Sequence, residues 1–148
     1  MFMRQYETIT LVDPRKGAEG VEKVVSRMRE ALEKTDAREV RYENWGRKTT
    51  AYRLQTYRTN KAYYLYLNYL GQNTIVAELE RLLKITEEAM LYQTVMLQDR
   101  VLAADFDFDE QSAAQTSYAK SEDEINYDEP VEDEVEEVVE AAAEEAVE

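Results

Sequence analysis

The alternation of apolar and polar positions over residues 5–12 predicts a half-buried strand. Its two sides carry different residues: Ile9 and Leu11 on one, and Tyr6, Thr8 and Thr10 on the other. Asp13-Pro14 ends the strand, because proline cannot donate a hydrogen bond to the ladder. Residues 18–34 then place apolar side chains at helical spacing, which predicts a helix with one buried face: Val21, Val24, Val25, Met28 and Leu32.

Two strand-like segments follow this helix. Residues 38–55 and 61–70 are rich in Tyr, Val, Leu and Thr, and a polar turn at residues 56–60 joins them. This pattern predicts a long β-hairpin. Gly46, inside the first segment, indicates a bulge or bend.

A second helix and a last strand complete the pattern. Asn73 is the expected N-cap of a helix whose apolar stripe is Ile75, Leu79, Leu82 and Leu83. Residues 89–102 form the last strand. The β-α-β-β-α-β order predicts an α+β, ferredoxin-like fold, because right-handed crossovers place both helices on one face of a four-stranded antiparallel sheet.

Charge divides the chain into two parts of opposite character. Residues 1–104 contain 17 Lys and Arg and 14 Asp and Glu, whereas residues 105–148 contain one Lys and 18 Asp and Glu. Apolar periodicity also stops at Asp105. We therefore expect a folded, ferredoxin-like domain at residues 1–104 and a disordered acidic tail at residues 105–148, since such a segment buries too little apolar surface to fold alone.

Several kinds of chemistry are excluded or disfavoured by composition. The chain has no cysteine and no histidine, so it lacks thiolate ligands and the commonest general base and metal ligand. Its four glycines are isolated, so there is no glycine-rich phosphate loop. No apolar run approaches the length of a membrane span. We expect no enzyme, catalytic residue, metal site, cofactor or small-molecule substrate, and a cytoplasmic protein that does not engage membranes.

The sheet face that the helices leave uncovered is the main candidate for function. Alternation in residues 61–69 puts the all-apolar side toward the helices and leaves Tyr64, Tyr66 and Asn68 outward. We expect seven further residues to lie around them on this face: Arg4 and Tyr6 of the first strand, and Arg41, Trp45, Arg47, Lys48 and Tyr52 of the hairpin. Aromatic rings stack on unpaired bases, and neighbouring Arg and Lys neutralise phosphates. Tyrosine is also common in strands of any function, so composition alone leaves generic sheet packing open.

Three motifs resemble a known family. Met3-Arg4-Gln5-Tyr6-Glu7 opens the first strand, Glu43-Asn44-Trp45-Gly46-Arg47-Lys48 with Ala51-Tyr52 lies on the second, and Lys61-Ala62-Tyr63-Tyr64 starts the third. In order and spacing, residues 3–102 resemble the family of the sixth protein of the bacterial small ribosomal subunit. Arg53 departs from this pattern, because the family usually has proline there.

The resemblance implies a structural ribosomal protein of the 30S subunit, without enzymatic activity. It implies binding to 16S ribosomal RNA together with the eighteenth small-subunit protein. From the residues we expect seven RNA contacts: phosphate contacts by Arg4, Arg47 and Lys48, stacking or packing by Tyr6, Tyr64 and Tyr66, and a hydrogen bond from Asn68.

Two further questions stay open at this point. A stand-alone single-stranded RNA-binding protein, with a sheet like that of the RNA-recognition motif, would share the strand order and the tyrosines. The acidic tail either repels non-specific RNA within about 8 Å, the Debye length at physiological salt, or loosely engages basic neighbours, or is a solvated extension.

Overall fold

The computed structural model describes residues 2–127 of the 148-residue chain. Its helices and strands are β1 (Phe2–Val12), α1 (Gly17–Lys34), β2 (Arg38–Leu54), β3 (Thr59–Gly71), α2 (Thr74–Lys84), β4 (Ala89–Leu102) and a short α3 (Phe108–Ala113). The first six elements confirm the β-α-β-β-α-β order that the sequence predicts.

The four strands form one antiparallel sheet in the order β2-β3-β1-β4. This is the ferredoxin-like arrangement, in which β2 and β4 are the edge strands and both long helices lie on one face. We call the other face of the sheet the open face.

Beneath the helices lies the main core. Strand β3 contributes its alternate side chains Tyr63, Leu65, Leu67 and Tyr69, all almost completely buried. The helices meet them with the predicted stripes, including Val24 and Met28 of α1 and Leu79 and Leu83 of α2. Asn73 precedes α2 as expected, but its side chain makes no capping hydrogen bond.

Strand β1 faces the core with its more polar side. Tyr6 pairs in register with Tyr69 and stacks on it, with ring centroids 5.7 Å apart, so Tyr6 lies beneath the helices. The Thr8 hydroxyl is bonded to the hydroxyls of Tyr69 and Thr94, each at 2.9 Å, which satisfies it in the core. The expectation that Tyr6 points to the uncovered face is therefore wrong.

A bulge interrupts strand β2 at the predicted glycine. The register with β3 shifts between Asn44 and Arg47, and Gly46 has a φ of 75°. Glycine adopts this left-handed conformation without the strain that a Cβ would introduce. The Asn44 side-chain oxygen accepts a hydrogen bond from the Gly46 N–H at 2.8 Å and closes the bend.

After β4 the chain continues along the sheet. Residues 106–127, which we call the strap, run from the open face across the outer edge of β2 to the helix side. The strap includes α3, whose N-terminus is capped by the Asp107 side chain, an acceptor of the Glu110 N–H at 3.0 Å. The sequence predicts disorder from Asp105 onward, whereas residues 105–127 have defined contacts here. The remainder of the predicted tail, residues 128–148, lies outside the described residues.

In the described part of the chain, no helix combines the length and hydropathy that crossing a bilayer requires.

Candidate nucleic-acid interface

An aromatic stack lies on the open face where β2 and β3 pair. Trp45 stacks on Tyr66 with ring centroids 5.5 Å apart and an angle of 15° between the planes. It also stacks on Tyr64, at 6.4 Å and 22°. Trp45 lies inside the β2 register shift, so the bulge at Gly46 sets the direction of its side chain.

A polar network fixes the tyrosine in the middle of this stack. The Tyr66 hydroxyl donates to Glu7 Oε2 at 2.9 Å and accepts from Asn68 Nδ2 and Arg41 Nη2, each at 3.3 Å. Gln5 Nε2 donates to Asn68 Oδ1 at 3.0 Å. Burial raises the pKa of Tyr66, and the bond to Glu7 raises it further.

Glu43 is a buried carboxylate at the same place. It accepts hydrogen bonds from the Thr116 N–H at 2.8 Å, from the Thr116 hydroxyl at 2.9 Å and from Trp45 Nε1 at 3.0 Å. Burial raises the pKa of Glu43, but these bonds and the charge of Arg41 together outweigh it and lower the pKa below its ordinary value. The carboxylate is therefore ionised at neutral pH.

Three cations line strand β2 on the open face. Arg41 lies with its Nε 3.5 Å from Glu43 Oε1, and this buried Nε has no hydrogen-bond partner. The Arg38 guanidinium lies 3.8 Å from the ring centroid of Phe108, and Lys48 Nζ lies 4.2 Å from that of Tyr118. Cations and aromatic rings thus alternate along this half of the face, which we call the basic-aromatic half.

The other half of the open face is apolar. Ile9 and Leu11 of β1, Tyr64 of β3, and Leu91 and Gln93 of β4 border a shallow groove of about 450 Å³. On the edge strand β4, Leu91 and Val95 pair with Leu11 and Glu7 of the open face, and Leu97 lies inside the register shift with β1. These three apolar side chains are 42–44% exposed. Exposed apolar side chains gathered on an edge strand are typical of a protein-interaction surface. We call this the apolar half.

The structure brings four of the seven predicted residues together. Tyr64, Tyr66 and Asn68 point to the open face as predicted, and Lys48 lies opposite Ala62 on the same side. Tyr66 and Asn68 are only 4% and 2% exposed, however, because the side chains of β2 cover them. Both therefore hold neighbouring groups in position rather than present a surface.

The other three predicted residues lie elsewhere. Tyr6 is in the helix-side core. Arg4 pairs with Gly71 at the far end of β1, and its Nε donates to Asp99 Oδ1 at 2.8 Å. Arg47 lies opposite Tyr63, on the helix side of the sheet. Arg47 and Lys48 are consecutive in β2 and therefore point to opposite faces, and the bulge before them turns Lys48 to the open face and Arg47 to the helix side, whereas the sequence prediction put both on one face.

Three residues that dominate the basic-aromatic half are not among the seven predicted contacts. The sequence places Arg41 and Trp45 around the uncovered face without assigning them a contact, and it does not single out Arg38. Their position follows from register with β3, because Arg38 pairs with Leu70 and Arg41 with Asn68. A bulge at Val40 and another at Gly46 break the alternation that would have revealed it.

Nothing in residues 2–127 resembles an enzyme's metal centre, since no three Asp or Glu side chains there are grouped to hold an ion. A surface depression of about 560 Å³ at Phe2, Arg4, Gln72 and Arg100 is open and lies away from the aromatic stack.

Comparison with known proteins identifies the family. Residues 5–96 match the family model described as ribosomal protein S6. The chain is 34% identical to small ribosomal subunit protein bS6 of Geotalea daltonii over 102 residues, which is 69% of this chain and 78% of the relative. It is 35% identical to bS6 of Desulfovibrio desulfuricans over 67% of this chain and 95% of the relative.

A solved structure supports the fold independently. The crystal structure of 30S ribosomal protein S6 from Thermotoga maritima superposes with a TM-score of 0.58 at 23% identity, covering 64% of this chain and 87% of that one. The chain therefore belongs to the ribosomal protein S6 family, and it is a structural, non-enzymatic constituent of the bacterial small ribosomal subunit in the cytoplasm.

Proposed function

We propose that the chain binds 16S ribosomal RNA together with the eighteenth small-subunit protein, and that the open face is where both are bound. The observation that carries this proposal is the division of that face into two halves of different chemistry. One half alternates cations with aromatic rings, and the other exposes apolar side chains on an edge strand.

The basic-aromatic half suits RNA. Lys48 and Arg38 supply charges for phosphates, and the rings of Trp45 and Tyr64 offer stacking surfaces for unpaired bases. The cations are few, however. Because the affinity of a nucleic-acid complex depends strongly on the number of phosphates neutralised, this half alone supports only weak binding.

The apolar half suits a protein partner. Leu91, Val95 and Leu97 lose unfavourable contact with water when another chain covers them. Edge strand β4 also has one row of backbone groups free for pairing with a further strand. A partner bound here would add its own RNA contacts beside those of β2 and β3, so that the two proteins bind RNA cooperatively.

Two measurements test the proposal. The chain should co-sediment with 30S particles in a sucrose gradient. In filter binding, an RNA fragment from the central domain of 16S ribosomal RNA should bind tightly only when the partner protein is added. Strong binding by the lone chain, with none in 30S fractions, would instead support a stand-alone single-stranded RNA-binding protein.

A further inference from the structure

The strap has a composition unlike that of the sheet it covers. Residues 106–127 contain six acidic residues, a single lysine and four aromatic residues. Aromatic rings and negative charges are also the two features of single-stranded RNA that the basic-aromatic half is suited to bind. The strap and RNA therefore offer this half of the face the same kind of contact.

At the start of the strap, its contacts involve the two arginines of β2. The ring of Phe108 lies 3.8 Å from the Arg38 guanidinium, and the Gln111 carbonyl accepts from Arg41 Nη1 at 3.0 Å. Phe106 and Phe108 also pack against the small apolar cluster of Val40, Leu70 and Val101. Both arginines are thus engaged by the chain itself.

Farther along, the strap covers the aromatic stack. Thr116 donates twice to Glu43, at 2.8 and 2.9 Å, and the Tyr118 ring lies 5.2 Å from that of Trp45. Lys48 Nζ lies 4.2 Å from the centroid of the Tyr118 ring. The lysine predicted to contact phosphate therefore has an intramolecular aromatic partner.

The strap is then attached at the edge of the sheet. The Lys120 N–H donates to the Asn44 carbonyl of β2 at 2.9 Å. Beyond this point Tyr127 lies on the helix side, with its ring 5.2 Å from that of Tyr63 and its hydroxyl accepting from Asn44 Nδ2 at 3.1 Å. The strap is thus held on both sides of the edge strand.

We propose that the strap is an intramolecular competitor of RNA, which occupies the basic-aromatic half in the free protein and is displaced when RNA binds there. This inference rests on the proposed RNA-binding function. Since Arg38, Arg41, Trp45 and Lys48 all contact the strap, RNA and the strap cannot use them at the same time. Weak, non-specific RNA is therefore excluded, whereas RNA held cooperatively with a partner protein displaces the strap.

The size of the effect depends on how often the strap is closed. Apparent affinity falls in proportion to the fraction of molecules in the binding-competent state. If about nine molecules in ten are closed, opening the strap raises the affinity for RNA about tenfold.

The first test opens the strap by substitution in the full chain. The double variant Phe108→Ala and Tyr118→Ala removes both rings that lie against the cations of β2. It should bind a short single-stranded RNA about tenfold more tightly than the parent. Ser112→Ala is the matched control, because the Ser112 hydroxyl donates to the Asp109 carbonyl within the strap itself, away from the cations of β2. Equal affinity of the double variant and the parent overturns the proposal.

A third substitution tests where the double variant binds the additional RNA. Adding Lys48→Glu to the double variant should remove the increase, because the exposed surface then lacks its cation beside Trp45. If the increase persists, RNA binds elsewhere and the competition is excluded. Circular dichroism of each variant checks that the sheet and helices remain folded.

The second test uses the unsubstituted chain, so it does not depend on how a variant folds. The amides of Thr116 and Lys120 donate to Glu43 and Asn44, so they should be protected from hydrogen exchange in the free protein. Saturating RNA, bound with the partner protein, should accelerate their exchange.

If RNA binds and the protection of these two amides is unchanged, the strap proposal fails and the proposed function stands. If RNA binds neither the parent nor the opened variant, with or without the partner, both fail.

Discussion

Among single residues, Glu43 connects the sheet to the strap most directly. Its carboxylate is buried, yet it accepts three hydrogen bonds and lies beside Arg41. Two of those bonds come from Thr116 of the strap. The charge state of one side chain on β2 therefore controls how firmly the strap is held.

This arrangement predicts a pH dependence. The pKa of Glu43 is lower in the folded protein than its ordinary value of 4.5. A carboxylate with a lowered folded-state pKa stabilises the contact above its unfolded pKa, and that stabilisation is lost as pH falls through the folded value. The exchange protection of the Thr116 amide should be constant from neutral pH to about 4.5 and decrease below it.

Glu43→Gln tests the assignment of this pH dependence to Glu43. The amide side chain carries no charge and one acceptor oxygen, so Thr116 should be less protected than in the parent at neutral pH, and the acid-dependent decrease should disappear. A decrease that persists unchanged in Glu43→Gln would show that another group is responsible.

The buried hydroxyl pair in the core gives a stability prediction. Burial raises the pKa of Tyr69 to about 12, and its hydroxyl is bonded to that of Thr8 at 2.9 Å. Tyr69→Phe should reduce the free energy of unfolding by about 1 kcal/mol, the net value of a typical buried hydrogen bond, in urea denaturation. Tyr52→Phe is the matched control, since Tyr52 is 70% exposed, and should leave it unchanged. Equal stabilities of the two variants would contradict this account of the core.

The burial of Tyr6 beneath the helices could not be predicted from the local sequence. Alternation correctly separates Tyr6 and Thr8 from Ile9 and Leu11, but it does not say which side faces the helices. Ile9 and Leu11 are the more apolar side, yet Tyr6 is buried because it pairs with Tyr69 and because Thr8 finds hydroxyl partners in the core. These partners belong to other strands, so the local pattern does not contain them.

At the level of elements, edge strand β4 is the clearest interaction feature. Its burial alternates from Leu91 to Val95, but every residue from Val95 to Arg100 is exposed, and its register with β1 is irregular near Gln98. The apolar side chains Leu91, Val95 and Leu97 are each more than 40% exposed. A strand of this kind is stabilised when a partner covers it.

Substitution on this strand should separate partner binding from RNA binding. Val95→Asp places a charge in the apolar half and should weaken binding of the partner protein, measured by isothermal titration calorimetry, by about tenfold or more. Ile85→Asp is the matched control, because Ile85 is 62% exposed at the end of α2, on the helix side. If both variants bind the partner as the parent does, the apolar half is not its binding site.

The boundaries of the elements were largely predictable, since helical spacing and strand alternation are local properties. Residues 38–55 and 61–70 correspond closely to β2 and β3, and Gly46 forms the expected bulge. The consequences of that bulge were not predictable. It reverses the faces of Arg47 and Lys48, which depends on register with β3 rather than on composition.

For the molecule as a whole, the strap is the feature that the sequence pattern predicted least well. High charge and absent periodicity predicted disorder from Asp105, yet isolated aromatic residues at wide spacing fix residues 106–127 to β2. Phe108 lies against Arg38, and Tyr118 lies against Trp45, both of β2. Tyr127 lies against a tyrosine of β3. Such contacts depend on the folded sheet, so no local sequence pattern predicts them.

The proposed function divides the open face between two binding roles. It assigns the partner protein to the apolar half and RNA to the basic-aromatic half, whose cations and rings lie against the strap. This division is the central claim, because both the cooperative RNA binding and its control by the strap depend on it.

The most direct test measures binding of the 16S central-domain RNA fragment with and without the partner protein, for the parent, Lys48→Glu and Val95→Asp. Lys48→Glu should weaken RNA binding in both conditions, whereas Val95→Asp should remove only the increase that the partner provides. Lys84→Glu, on the helix side, should match the parent. If Lys48→Glu and Val95→Asp both bind as the parent does in both conditions, the open face is not the binding surface.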